Sequence, residues 1–149
     1  MIRWSDEEMQ ARLDAQLRAD REATAGSVTC ELLPRTAACC WSEGWAEFTF
    51  ESRPWMVNLH NTVHGGAIAT MFENAFSLTA RAACQPGQDA GALNLQLNYL
   101  IGVPGDAPLV LKVQVQKLGG VLKFFSGVLC SDRQPDRPLT SASATYTAK

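Results

Sequence analysis

The side chains able to act on a substrate gather in one stretch, NTVHGGAIATMFENAFS, residues 61–77, which holds a single acid, Glu73, among apolar, small and neutral polar residues. At about 100° per helical residue the neighbours of Glu73 are Ala69, Ser77 and Ala80, small groups that leave room above the carboxylate. A carboxylate beside apolar walls has its proton affinity altered by desolvation, a reactive setting. Just upstream, His64-Gly65-Gly66 leads into the helix, where the first N–H groups lack intrahelical partners and the macrodipole favours negative charge. Glycine there lets a ligand approach the backbone closely. Exposed N–H groups followed about two turns later by a carboxylate can polarise a carbonyl and attack it, directly or through water. Acyl transfer to water fits this arrangement. A plainer reading stands beside it: the glycines shape a turn, and Glu73 belongs to a solvated stripe with Thr70, Asn74, Ser77 and Arg81.

His60 and His64 have the four-residue spacing of a helical metal pair, with Glu73 as an imaginable third ligand. Asn61 and Gly65-Gly66 argue for a loop there, so no metal is expected and His60 becomes a loop or pocket-wall residue. His64 is expected to orient the loop and is not the base. No His-Asp arrangement supports Ser77 as a nucleophile, which leaves it a positioning role. Trp55, beside the site loop, is placed on an acyl pocket, and Trp4, Trp41 and Trp45 in core or interface contacts.

These groups need a scaffold. Residues 5–22 read as a surface helix, capped by Ser5, with Asp6, Glu7 and Glu8 in its first turn and a narrow apolar stripe of Met9, Leu13 and Leu17. TAACCW and WAEFTF flank Ser-Glu-Gly between Thr36 and Phe50, a hairpin with Gly44 in its turn. Residues 66–84 form a long, largely buried helix. After the loop QPGQDAG come ALNLQLNYL, PLVLKVQVQKL, VLKFFSGVLC and PLTSASATYTA, each alternating apolar and polar positions. Turns at Pro104-Gly105 and Gly119-Gly120 suggest that the four strands follow one another as an antiparallel meander. One buried helix wrapped by a curved antiparallel sheet, an α+β architecture, accounts for the pattern.

A chain of 149 residues is most economically one domain, 1–149, with a helix in 1–24 and the core in 36–147. The five cysteines, Cys30, Cys39, Cys40, Cys84 and Cys130, are odd in number and lack metal-ligand spacing, so reduced thiols are expected. Charges throughout the first residues and the lack of any long apolar run suggest a cytoplasmic protein rather than a membrane one. The net charge is −2, and residues 61–149 carry seven Lys/Arg against five Asp/Glu, too slight an excess for nucleic acid.

The stretch NLHNTVHGGAIATMFENAFS resembles the signature of hotdog-fold thioesterases, in particular the PaaI-like and hydroxybenzoyl-CoA thioesterase branch. That family sets Asn or Gln six residues before His-Gly-Gly and an acid nine residues after the His, and Asn58, His64 and Glu73 match both spacings. The resemblance runs over about residues 36–147. It implies a hotdog fold of about six strands, an acyl-CoA substrate and no cofactor. It gives the Gly65 N–H the task of polarising the thioester carbonyl and Glu73 that of nucleophile or general base. Asn58, His64 and Ser77 complete the catalytic set, and Gly66, His60, Asn74, Trp55 and Ala92 border the substrate. Relatives pair as dimers, often doubled to tetramers, with Asn58, His64 and Gly65 facing the partner's Glu73 and Ser77. Departures are Asn61 where many relatives have Gly, Ala92 where some have a hydroxyl residue, and Gly120 where a Lys or Arg is common, with Lys123 as a substitute cation. Two other functions of similar domains remain in view: acyl-CoA or acyl-carrier binding without catalysis, and enoyl hydratase or dehydratase chemistry.

Overall fold

A computed structural model describes residues 4–34 and 40–149. Cys39 and the start of the expected hairpin, residues 36–39, lie outside the described residues. Three α-helices, α1 (Asp6–Ala23), α2 (Val28–Glu31) and α3 (Gly65–Ala82), accompany six strands: β1 (Cys40–Ser42), β2 (Trp45–Phe50), β3 (Ala90–Tyr99), β4 (Leu109–Leu118), β5 (Leu122–Ser131) and β6 (Thr140–Ala148). No helix among the described residues is long and apolar enough to cross a membrane.

The helices begin where side chains can satisfy their first N–H groups. Ser5 caps α1 in a full capping box, its hydroxyl accepting from the Glu8 N–H while the Glu8 carboxylate accepts from the Ser5 N–H. Met9, Leu13 and Leu17 are buried, so the narrow stripe of α1 does face the core. The same helix seals one end of the sheet. Gln10 accepts from the Trp41 N–H at 2.8 Å, and the Asp6 carboxylate accepts from the Glu43 N–H and the Trp41 indole N–H. Two residues after Gln10, Arg12 donates to the Ala82 and Cys84 carbonyls at the end of α3.

All strand pairs are antiparallel, but the order across the sheet is β1-β2-β4-β5-β6-β3. This corrects the expected meander: β3 pairs with β6, not with β4. The cause is the connection at residues 100–108, which is tied under the start of α3 and carries the chain across the end of the sheet. The Leu100 and Ile101 N–H groups donate to the Leu139 carbonyl, Val63 to Val103, and Gly105 to Asn61. Gly119-Gly120 does form the tight β4–β5 turn. β2 takes the place beside β4, and β3 is left as an edge strand ten residues long.

Buried side chains of α3 fill the hollow of the sheet. Phe72, Phe76, Phe125 and Tyr146 form a chain of rings with centroids 5.8, 6.0 and 5.9 Å apart, running from the helix through β5 to β6. This chain fixes Tyr146 beneath the middle of α3.

Candidate active site

The start of α3 is built by its cap. His64 is the N-cap, and its Nδ1 accepts from the Gly66 N–H at 3.3 Å, which places the ring proton on Nε2. His64 thus caps the first turn of α3. The Gly65 N–H points out of the helix with no partner among the described residues. Tyr99, from the end of β3, lays its ring over Gly65 and donates its hydroxyl to the Gly65 carbonyl at 2.9 Å. A Cβ added at position 65 would meet that ring at 3.3 Å, so glycine is what the packing asks for.

Two cavities flank these glycines. One, of about 470 Å³, is lined by Gly65, Gly66, Ile68, Tyr99, Leu100 and Val103. The other, of about 260 Å³, lies between α2 and α3 and contains Trp55, Leu32, His64, Gly66 and Thr70. Trp55 is 53% exposed at its rim.

Glu73 is half-buried on α3. Burial raises its proton affinity above the ordinary carboxylate value, and the nearby Asp20 adds to this, while Arg81 and the Tyr146 hydroxyl pull the other way. Ser77, one turn on, is also half-buried, and its hydroxyl makes no bond with the described residues. Thr70 and Thr79 differ, for both donate to the carbonyl four residues earlier, at 2.9 and 2.8 Å.

The expected polar stripe of α3 is split in two. Asn74 is buried and donates to the Leu32 carbonyl at 3.2 Å, which holds the segment after α2 in place, and it is not among the residues lining either cavity. Arg81 forms a two-pronged pair with Asp20 of α1 at 2.8 and 2.6 Å. The segment after α2 therefore covers Asn74 and α1 covers Arg81, while Glu73 and Ser77 are left half-buried.

Asn58 is committed to its own loop. Its Oδ1 accepts from the His60 and Thr62 N–H groups, its amide bonds the Thr62 hydroxyl at 2.8 Å, and its main chain pairs with Thr62. Asn61 stands inside this loop at φ 57°, the left-handed backbone that Asn tolerates. His60 and its neighbour Leu59 are exposed. Among the described residues no group of three His, Cys, Asp or Glu is arranged to hold a metal.

Ala92, on exposed β3, stands directly opposite Tyr146 of β6 and brings no hydroxyl of its own. Tyr146 is the residue that sequence reasoning missed. It is 1% exposed, and its O–H donates to the Glu73 carbonyl at 3.3 Å. The signal was the alternation of β6, which sets Tyr146 on the inward face with Ala142 and Ala144. Lys123, the substitute cation, is only 2% exposed and lines a cavity of about 70 Å³ with Gln85, Gln88 and Gly119, so it adds no charge to the surface.

Several solved structures share this architecture. The thioesterase PA1618 of Pseudomonas aeruginosa, solved as a mutant, is 18% identical, with 90% of this chain and 91% of that one covered and a TM-score of 0.75. PaaI of the E. coli phenylacetic acid degradation operon is 18% identical over 92% and 96% of the chains, with a TM-score of 0.71. The protein smu.793 of Streptococcus mutans, solved bound to acetyl CoA, is 20% identical over 72% and 83%, with a TM-score of 0.63. At these identities the likeness speaks for the fold, which is the hotdog fold with an added N-terminal helix. No curated protein matches the chain by sequence. A sequence profile of the thioesterase superfamily matches residues 60–135, just over half of the chain, from the site loop through β5. The chain belongs to the thioesterase superfamily and is a thioesterase.

Proposed function

We propose that this protein hydrolyses acyl-CoA to a free acid and CoA, as one hotdog domain working in the cytoplasm. The Gly65 N–H polarises the thioester carbonyl, and Glu73 attacks it or activates the attacking water. The observation that carries this reading is the unpartnered Gly65 N–H at the start of a helix that also bears the half-buried, desolvated Glu73. An oxyanion forming at the carbonyl is held by the N–H and the positive end of the helix, and the CoA thiolate departs. The acetyl CoA bound by smu.793 favours CoA as the carrier.

One chain does not complete the site. Gly65 and Glu73 are eight residues apart, roughly 12 Å along the helix, whereas reacting atoms must come within about 3–3.5 Å. A second copy therefore supplies the carboxylate. β3 is suited to receive it, for this edge of ten residues carries no charge. Leu93, Tyr99, Leu100 and Ile101 stand exposed along and just beyond it.

The test is release of thiol from a panel of acyl-CoA esters by two variants. Glu73→Gln loses a catalytic carboxylate, with kcat falling by roughly 10²–10⁴ while binding persists. Gly65→Pro removes the N–H: proline is accepted at the first helical position, His64, at ψ 136°, has the extended backbone a proline requires before it, and the exposed Tyr99 ring, 3.3 Å from the new Cβ, has to give by a few tenths of an ångström. Each variant alone is slow. An equal mixture, allowed to exchange subunits, recovers about a quarter of the wild-type sites through mixed dimers. Binding of every ester without turnover by the wild type would point instead to a ligand-binding module, and full kcat in Glu73→Gln would remove the carboxylate from the mechanism.

A further inference from the structure

We infer that Tyr146 is a positioning residue for the Glu73 carboxylate, its buried hydroxyl moving between the Glu73 carbonyl and the Glu73 side chain as that side chain gains and loses charge. This rests on the role assigned above to Glu73.

The geometry comes first. Tyr146 is 1% exposed, so its O–H must find its acceptor inside the protein. The acceptor it has, the Glu73 carbonyl, lies at 3.3 Å, long for an O–H donor. That carbonyl also faces the N–H one helical turn on, so the phenol adds little to it. The phenol ring is held edge-on by Phe125 at 5.9 Å, and its strand neighbours are Ala92 and Lys123. The ring is fixed, and the hydroxyl proton alone is free to rotate. An anion beside it is a better acceptor than a shared amide carbonyl.

The surroundings leave few other groups for this task. On α3 itself Arg81 is engaged by Asp20, and Asp20 of α1 adds negative charge. β3 has no charged residue. The buried positions of β2 are Ala46, Phe48 and Phe50 and those of β4 Leu109, Leu111 and Val113, none of which titrates. On β5 the inward charged group is Lys123, directly opposite Tyr146 in the ladder, in a small cavity that also contains Ala83. The effects on Glu73 agree with this geometry: burial raises its proton affinity most, Arg81 lowers it, Asp20 raises it, and the Tyr146 hydroxyl lowers it further. The reciprocal effect is present, since burial first and then Glu73 hold the Tyr146 phenol above its usual range. Tyr146 therefore aims the carboxylate and adds to the pull of Arg81 toward its ionised form, and does not touch the thioester.

The experiment is a pH–rate profile of kcat/KM on one acyl-CoA, with kcat and KM separated at its plateau. Tyr146→Phe keeps the ring and its packing. Loss of a hydrogen bond to the charged form raises the proton affinity of Glu73, so the acid limb moves to higher pH. The plateau kcat falls roughly tenfold, as expected for one hydrogen bond to a charged group, and KM stays put. Replacing Tyr146 by 3-fluorotyrosine keeps the fold and gives a stronger donor, and the limb then moves to lower pH. A merely structural role would scale activity equally at every pH. An unmoved limb in the fluorotyrosine protein, or in a folded Tyr146→Phe, overturns the inference. Glu73→Gln separates the two ideas: if it keeps its kcat the carboxylate assignment fails, whereas an inactive Glu73→Gln with unmoved limbs sinks only the role of Tyr146.

Discussion

Glu73→Gln is expected to stabilise the protein while it stops the reaction. Burial is the foremost influence on this carboxyl and raises its proton affinity, Asp20 adds to it, and Arg81 and Tyr146 offset it only in part. A folded-state pKa above the unfolded one means that the folded protein is favoured while Glu73 is protonated. That advantage is fully present below the unfolded pKa and is lost as pH rises through the folded pKa. At neutral pH the ionised side chain bears the whole desolvation cost, which an uncharged glutamine does not share. Each pKa unit corresponds to about 1.4 kcal/mol. In a chain of this length one kcal/mol moves Tm by about 2–4 °C. Scanning calorimetry of wild type and variant across the range from acid to neutral pH checks it. The Tm gap should open as pH rises above the carboxylate range and close on acidification. A Glu73→Gln protein no more stable than wild type at neutral pH, or a gap indifferent to pH, would refute the claim that this carboxylate is desolvated.

Two further outcomes test the frame around it. Asp20→Asn removes one partner of the Arg81 pair, whose side chains are 19% and 23% exposed, and should cost roughly 1–3 kcal/mol in urea denaturation. Because Asp20 raises the proton affinity of Glu73 and Arg81 lowers it, the same variant should move the acid limb of kcat/KM to lower pH. Gly127→Ala should destabilise by about 1–3 kcal/mol through overpacking, since its Cβ would meet the Lys112 carbonyl at 3.0 Å and the Phe76 and Phe72 rings at 3.2 and 3.3 Å. Unchanged unfolding of Gly127→Ala would show that the helix has room to lift from the sheet.

Local rules made much of the molecule legible in its sequence. Ser5 and the acids after it announced α1, the alternation of VLKFFSGVLC announced β5, and the crowding of apolar residues from Gly66 on announced a buried α3. Strand order was beyond them, because the detour of β3 depends on bonds such as those from Leu100 and Ile101 to Leu139, made between segments almost forty residues apart. The stripe on α3 was visible, but whether water or another helix covered it was not. Asn74 and Arg81 are spoken for by Leu32 and Asp20, residues that no periodicity links to them. The bracing of the Asn58 loop against Thr62 was likewise not visible in the spacing of Asn58 from His64. Tyr146 lay hidden for a related reason: 73 residues separate it from Glu73, and only the curl of the sheet brings its hydroxyl under the helix.

The two margins of the sheet are unlike. At β1 the outward N–H groups of Trp41 and Glu43 are already taken by Gln10 and Asp6. At β3 ten residues offer an open, uncharged ladder. A sheet that can be extended from one side alone behaves like a terminated polymer: two such units joined at their open sides leave no side from which a third could grow. The short helix contacts at β1 thus act as an end-stop, and in the proposed pairing of two copies a bare edge at β3 would not invite runaway stacking.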